Sequence, residues 1–152
     1  MIEVHWATDR RPATDEAVQR AAAAAALHGG RAGLALSVVF VPEEELTALH
    51  AEHLGDPTPT DVITFDLGDG GGPQGELYVS VDRALAEASQ RGVPAERELL
   101  LYVVHGVLHL CGHDDHEPHD RARMRAAERA VLEQLGYPPD ETPREGLGPA
   151  WT

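Results

Sequence analysis

The chain reads as an α+β domain, with a single mixed β-sheet of about four strands packed with helices. Three observations predict this. Short β-branched or alternating runs recur near residues 2–6, 34–41, 62–65 and 77–81. Between and after them lie stretches with helical apolar spacing and recognisable start and stop residues. The order strand, helix, strand, helix, strand, strand, then helices suits one sheet with helices laid on it.

Each element has a local reason. Ile2-Glu3-Val4-His5-Trp6 alternates apolar and polar, the period of a half-buried strand. Thr14 is a plausible N-cap, with Asp15 and Glu16 in the first helical turn. The alanine-rich run to His28 is then a helix, stopped by Gly29-Gly30. Residues 34–41 are apolar and β-branched, a buried strand. Pro42 and three glutamates open a short helix with Leu46 and Leu49 inward. Asp56-Pro57-Thr58-Pro59 predicts a rigid, extended loop. Residues 68–75 carry five glycines and one proline, a flexible hairpin loop between two strands. Asp82 is expected to cap a helix that ends near Gly92. Pro94 starts an apolar helix, and a last helix runs from about Pro118 through Met124, Ala127, Val131 and Leu135 to Gly136. Residues 1–137 thus form one expected domain, and 138–152 a flexible tail rich in proline, glycine and acidic residues.

Composition narrows the function. The chain of 152 residues has a formal net charge of −14, and protonating all nine histidines would leave it negative. Strong nonspecific nucleic-acid binding through the overall field is disfavoured, while a local contact with phosphate is not. Arg83, Arg91 and Arg97, and separately Arg121, Arg123, Arg125 and Arg129, are expected on solvated helix faces. The single cysteine, Cys111, excludes an intramolecular disulfide and fits a reducing cytoplasm. The N-terminal residues lack a secretory pattern, and no run is long and apolar enough for a membrane helix.

The chemistry concentrates in His105-Gly106-Val107-Leu108-His109-Leu110-Cys111-Gly112-His113-Asp114-Asp115-His116. Residues four apart share a helix face, with Cβ atoms roughly 5–6 Å apart, so His105 and His109 can grip one ion. Gly112 can end the helix in a left-handed conformation and return a third ligand. By offset that ligand is Asp115, with His116 the competitor one residue on. The histidines interrupt an otherwise apolar run, where an unpartnered polar group would cost about 1–3 kcal/mol. Cys111 lies beyond the histidine face and is expected as a small core residue rather than a ligand.

Two histidines, a carboxylate and an open position describe a catalytic zinc site, and hydrolysis is its default reaction. Peptidases of the H-E-x-x-H type use the glutamate after the first histidine as general base. Gly106 stands there in this chain. A non-heme iron site and a closed structural metal site are the other readings of this ligand set.

Four blocks resemble the YbeY family of bacterial metal-dependent endoribonucleases. They are the His105-to-Gly112 segment with its acidic and histidine residues, Val38-Val39-Phe40-Val41 before an acidic helix, Pro59-Thr60-Asp61-Val62-Ile63-Thr64-Phe65, and Gly75-Glu76-Leu77-Tyr78-Val79-Ser80. The resemblance spans roughly residues 34–135 and implies a small α+β domain binding one Zn2+. It implies cleavage of single-stranded RNA, maturation of the 16S ribosomal RNA 3′ end, a part in ribosome quality control and contact with ribosome components. Two positions depart from the usual pattern. Asp115 stands where most members have a third histidine, as in a variant subgroup with aspartate there. Met124 keeps the family spacing to Asp115 and supports that register. His53-Leu54 stands where a Tyr-Arg pair is usual, so another arginine substitutes, the metal carries more of the charge stabilisation, or the activity is weak.

The favoured reading is a zinc-dependent endoribonuclease using His105, His109 and Asp115, with no general base identified. Asp114 is near but could simply cap the turn. His113 could contact RNA or merely face solvent. Asp61 could hydrogen-bond a ligand histidine or cap a strand. The alternatives are a ribosome-associated metal-binding factor without turnover, and a different zinc hydrolase.

Overall fold

A computed structural model of the chain describes residues 1–55, 60–114 and 116–137. The expected extended loop at 56–59, Asp115 and the tail 138–152 lie outside the described residues.

The elements run β1 (Ile2–Trp6), α1 (Asp15–His28), β2 (Leu36–Val41), α2 (Glu43–Leu54), β3 (Val62–Asp66), β4 (Gly75–Ser80), α3 (Val81–Arg91), α4 (Ala95–Leu110) and α5 (Pro118–Gln134). The strands form one mixed sheet in the order β1-β2-β4-β3. β1 and β2 are parallel, as are β2 and β4, and β3 pairs antiparallel with β4 through the glycine-rich hairpin. The α+β reading with four strands therefore holds.

Alternation sorts the strand residues onto two faces. Leu36, Val38, Phe40, Val62, Leu77 and Val79 join the main core with α1, α3, α4 and α5. Val41, Ile63 and Leu46 form a second, smaller core under α2, flanked by Val39, Leu49, Phe65 and Tyr78. Helix α4 is the centre of the main core, buried without a break from Arg97 to Leu108. An amphipathic helix would show a polar face, whereas α4 touches neighbours all round.

Gly106 explains how α4 lies so close to the sheet. A Cβ added there would stand 2.7 Å from Leu77 Cδ2 and 3.1 Å from Thr64 Cγ2. A residue with a Cβ would force the Leu77 side chain to shift.

Some local expectations shift. The second strand begins at Leu36, because Leu34 N–H closes a turn onto the Arg31 carbonyl. Ser80, not Asp82, caps α3: its side chain accepts from Arg83 N–H. Asp82 instead reaches across to another helix. Its Oδ2 accepts from Glu43 N–H at the start of α2, and its Oδ1 accepts from Arg10 Nη1. Pro42 offers no side-chain cap, so α2 takes its cap from a distant residue. Arg97 is buried rather than solvated, and the Arg125 side chain is only 17% exposed. Cys111 is half-buried at the α4 C-terminus, packed against the core edge and Gly29.

Candidate metal and RNA-cleavage site

His105 and His109 occupy successive turns near the C-terminal end of α4. His105 is fully buried and His109 partly so. Helix α4 stops as the glycine rule requires. Cys111 N–H bonds back to the Val107 carbonyl, Gly112 N–H to His109, and His113 N–H to Leu108. Gly112 has φ +101°, the conformation that turns the chain out of the helix axis. Arg31 Nη1 donates to the Leu110 carbonyl, satisfying one of the last helix carbonyls.

The sequence reading missed the partner that orients His105. Glu128, on α5, is buried and hydrogen-bonded to His105 Nδ1 through Oε2. Its other oxygen accepts from Arg125 Nη1. Burial would raise the Glu128 carboxyl, but the His105 ring and then the Arg125 guanidinium overcome this and hold it below the usual range. An ionised carboxylate only accepts, so Nδ1 is the donor, and in the neutral ring Nε2 then carries the lone pair. This is the carboxylate–histidine arrangement that supports metal ligation. A signal was present: Glu128 falls on the apolar stripe of α5 among Met124, Ala127 and Val131. A carboxylate in a buried stripe needs a partner.

Asp61 does not fill that role here. It is buried, and it accepts from Arg83 Nε at 3.2 Å. Burial, opposed by Arg83, pushes its carboxyl up to about 6. Asp114 Oδ1 accepts from His116 N–H, an Asx-type turn, and the His116 ring stands 3.4 Å from the same oxygen. His116 is 66% exposed at its side chain. Asp115, the ligand expected by register, lies outside the described residues. Among the described residues no group of three or more His, Cys, Asp or Glu side chains gathers tightly enough to hold an ion. His105 and His109 are thus brought onto one helix face, and His116 stands apart on the surface.

A cleft of about 190 Å³ opens beside the turn, lined by Cys111, Gly112, His113, Asp114, Asp120 and Arg123. Burial, then Arg123, lowers the His113 pKa. The imidazole and guanidinium give this cleft hydrogen-bond donors, set beside the carboxylates of Asp114 and Asp120.

The family model for Endoribonuclease YbeY matches residues 5–136. The chain belongs to the Endoribonuclease YbeY family. Endoribonuclease YbeY of Chlorobium luteolum is 36% identical over 135 residues, 88% of this chain and 97% of that protein. The Symbiobacterium thermophilum protein of the same name is 38% identical over 135 residues, 80% of this chain and 86% of its own. That of Rhodopirellula baltica is 39% identical over 134 residues, covering 86% and 69%. The solution structure of a Thermotoga maritima protein superposes with a TM-score of 0.61 at 24% identity, covering 96% of this chain and 99% of that one; this likeness is one of fold. The match includes both histidines, Gly106, Gly112 and Glu128, so the relay from α5 to α4 lies inside the YbeY-family domain.

Proposed function

We propose that this chain is a Zn2+-dependent, single-strand-specific endoribonuclease acting in 16S ribosomal RNA 3′-end maturation and ribosome quality control. The observation that carries the metal part is the Glu128–His105 contact, which leaves Nε2 as the ligating nitrogen one turn from His109. His105, His109 and Asp115 would hold the ion, with His116 the alternative to Asp115. An oxygen ligand suits zinc, as do imidazoles. A zinc ion bound there supplies Lewis-acid activation of water or of the scissile phosphate.

The chain's own residues supply the rest. Glu128 fixes the His105 ring, and the buried wall of α4 excludes water behind it. Arg123 and His113 line the cleft where a phosphodiester would lie, and Arg123 brings the positive charge that Leu54 lacks. Packing at Gly106 weighs against the peptidase alternative: the position that would carry a glutamate base faces Leu77 and Thr64, not the cleft. Ribosomal RNA and ribosome components are the proposed partners, and the cytoplasm the proposed location. No helix of the described residues is long and apolar enough to cross a membrane.

The test is cleavage of a single-stranded RNA by the protein as isolated, after chelation and after zinc is restored, beside His109→Ala. Cleavage lost on chelation, regained with zinc and absent from His109→Ala is expected. Full cleavage by metal-free His109→Ala would overturn the mechanism. Zinc loading without turnover on RNA or on ribosomal subunits would favour a metal-binding factor instead.

A further inference from the structure

Arg125 and His105 hold opposite oxygens of one buried carboxylate. Arg125 Nη1 donates to Glu128 Oε1, and His105 Nδ1 donates to Glu128 Oε2. The side chains of His105 and Glu128 are 0% and 4% exposed, so water does not compete for these contacts. Arg125 Nε and Nη2 are buried and make no hydrogen bond among the described residues. Glu128 is therefore the acceptor that holds Arg125 in place. A guanidinium is donor-only and keeps its charge in proteins. Whatever side chain stands at position 128 must present an acceptor to it. The opposite end of that side chain then faces His105, and its character sets which ring nitrogen carries the proton.

We propose that Arg125 is a positioning residue: by orienting the group at position 128 it locks His105 in the Nδ1–H tautomer and turns Nε2 toward the ion. The consequence for metal binding rests on the zinc-site reading above. The tautomer itself is a property of the folded chain with or without metal.

Substitution by glutamine exposes the logic. In Glu128→Gln, Arg125 claims the amide oxygen. The amide NH2 then faces His105 Nδ1, which must accept, and the proton moves to Nε2. That tautomer cannot ligate through Nε2. Removing Arg125 as well frees the amide to flip, so its oxygen again accepts from Nδ1–H. A double substitution is thus expected to repair a single one. A role limited to packing would not produce such a repair, since the pair loses more buried contacts than Glu128→Gln alone.

The experiment uses the full chain labelled with 15N-histidine. It reads the His105 tautomer by NMR in the metal-free protein, and zinc affinity by competition with a chromophoric chelator. Wild type and Arg125→Lys are expected to show Nδ1–H. Glu128→Gln is expected to show Nε2–H and zinc affinity about 10–100-fold weaker. The Arg125→Met, Glu128→Gln pair is expected to return to Nδ1–H and regain most of the affinity. Arg125→Met alone guards against misfolding of Glu128→Gln, and its zinc affinity is expected several-fold below that of Arg125→Lys. Nδ1–H retained in Glu128→Gln, no recovery in the double variant, or equal affinity of Arg125→Met and Arg125→Lys would overturn the proposal. Tautomers that follow the pattern in a chain with no zinc affinity would support the positioning role and sink the zinc reading.

Discussion

Gly106 and Leu77 are in contact across the α4–sheet interface, so tightly that a methyl group on Gly106 would lie 2.7 Å from Leu77 Cδ2. The glycine sits between the two histidines, one residue after His105. Placement of the histidine-bearing helix and packing of the core are therefore the same event.

Gly106→Ala is expected to destabilise the fold by up to about 2 kcal/mol. The gain in helix propensity is about 1 kcal/mol, while overpacking a filled core costs about 1–3 kcal/mol. Leu77 and Thr64 are both buried and have little room to yield. Urea unfolding measures the difference. Leu77→Val in the same background is expected to cost less than it does in wild type, a coupling read from the double-mutant cycle.

Gly112→Ala probes the turn after α4, through which the proposed zinc site needs its third ligand. At φ +101° a Cβ is strained even though nothing crowds it. The cost is expected at about 1–2 kcal/mol. Zinc affinity is expected to fall further than stability does, because the residues after Gly112 move relative to His105 and His109. A chelator competition beside a thermal melt separates the two effects.

Asp61 predicts a pH dependence with a definite sign. Its carboxyl is raised to about 6 in the folded protein, from 3.8 for an unperturbed aspartate. The native state therefore holds the proton more tightly than the unfolded chain. Its stabilising contribution is complete below about pH 4 and is lost as pH rises through about 6. Asp61→Asn is expected to flatten this fall, on the order of 2 kcal/mol, in urea melts at pH 4, 5, 6 and 7. A stability profile with the same slope in Asp61→Asn would refute the assignment.

Ser80 and Asp82 make opposite predictions about two helices. Ser80→Ala is expected to cost about 1 kcal/mol and to speed amide exchange at Arg83. Asp82→Ala is expected to leave Arg83 protected and expose the Glu43 amide instead. Hydrogen exchange resolved by residue distinguishes them.

Strand and helix positions were legible because each follows from neighbours along the chain: alternation at 2–6, the Thr14 cap, the Pro118 start and the Gly112 stop. His105 and His109 were legible for the same reason, since i, i+4 spacing alone puts them on one helix face. Arg97 and Arg125 were misread as solvated because charge is a local attribute and burial is not. Asp82 was assigned to the helix it begins, yet it caps one 39 residues away. Glu128 meets His105 across 23 residues. Short-range spacing, in physical terms, specifies backbone conformation and which side chains share a face. Which carboxylate meets which histidine depends on how α5 crosses α4, and that crossing is set by packing over the whole core.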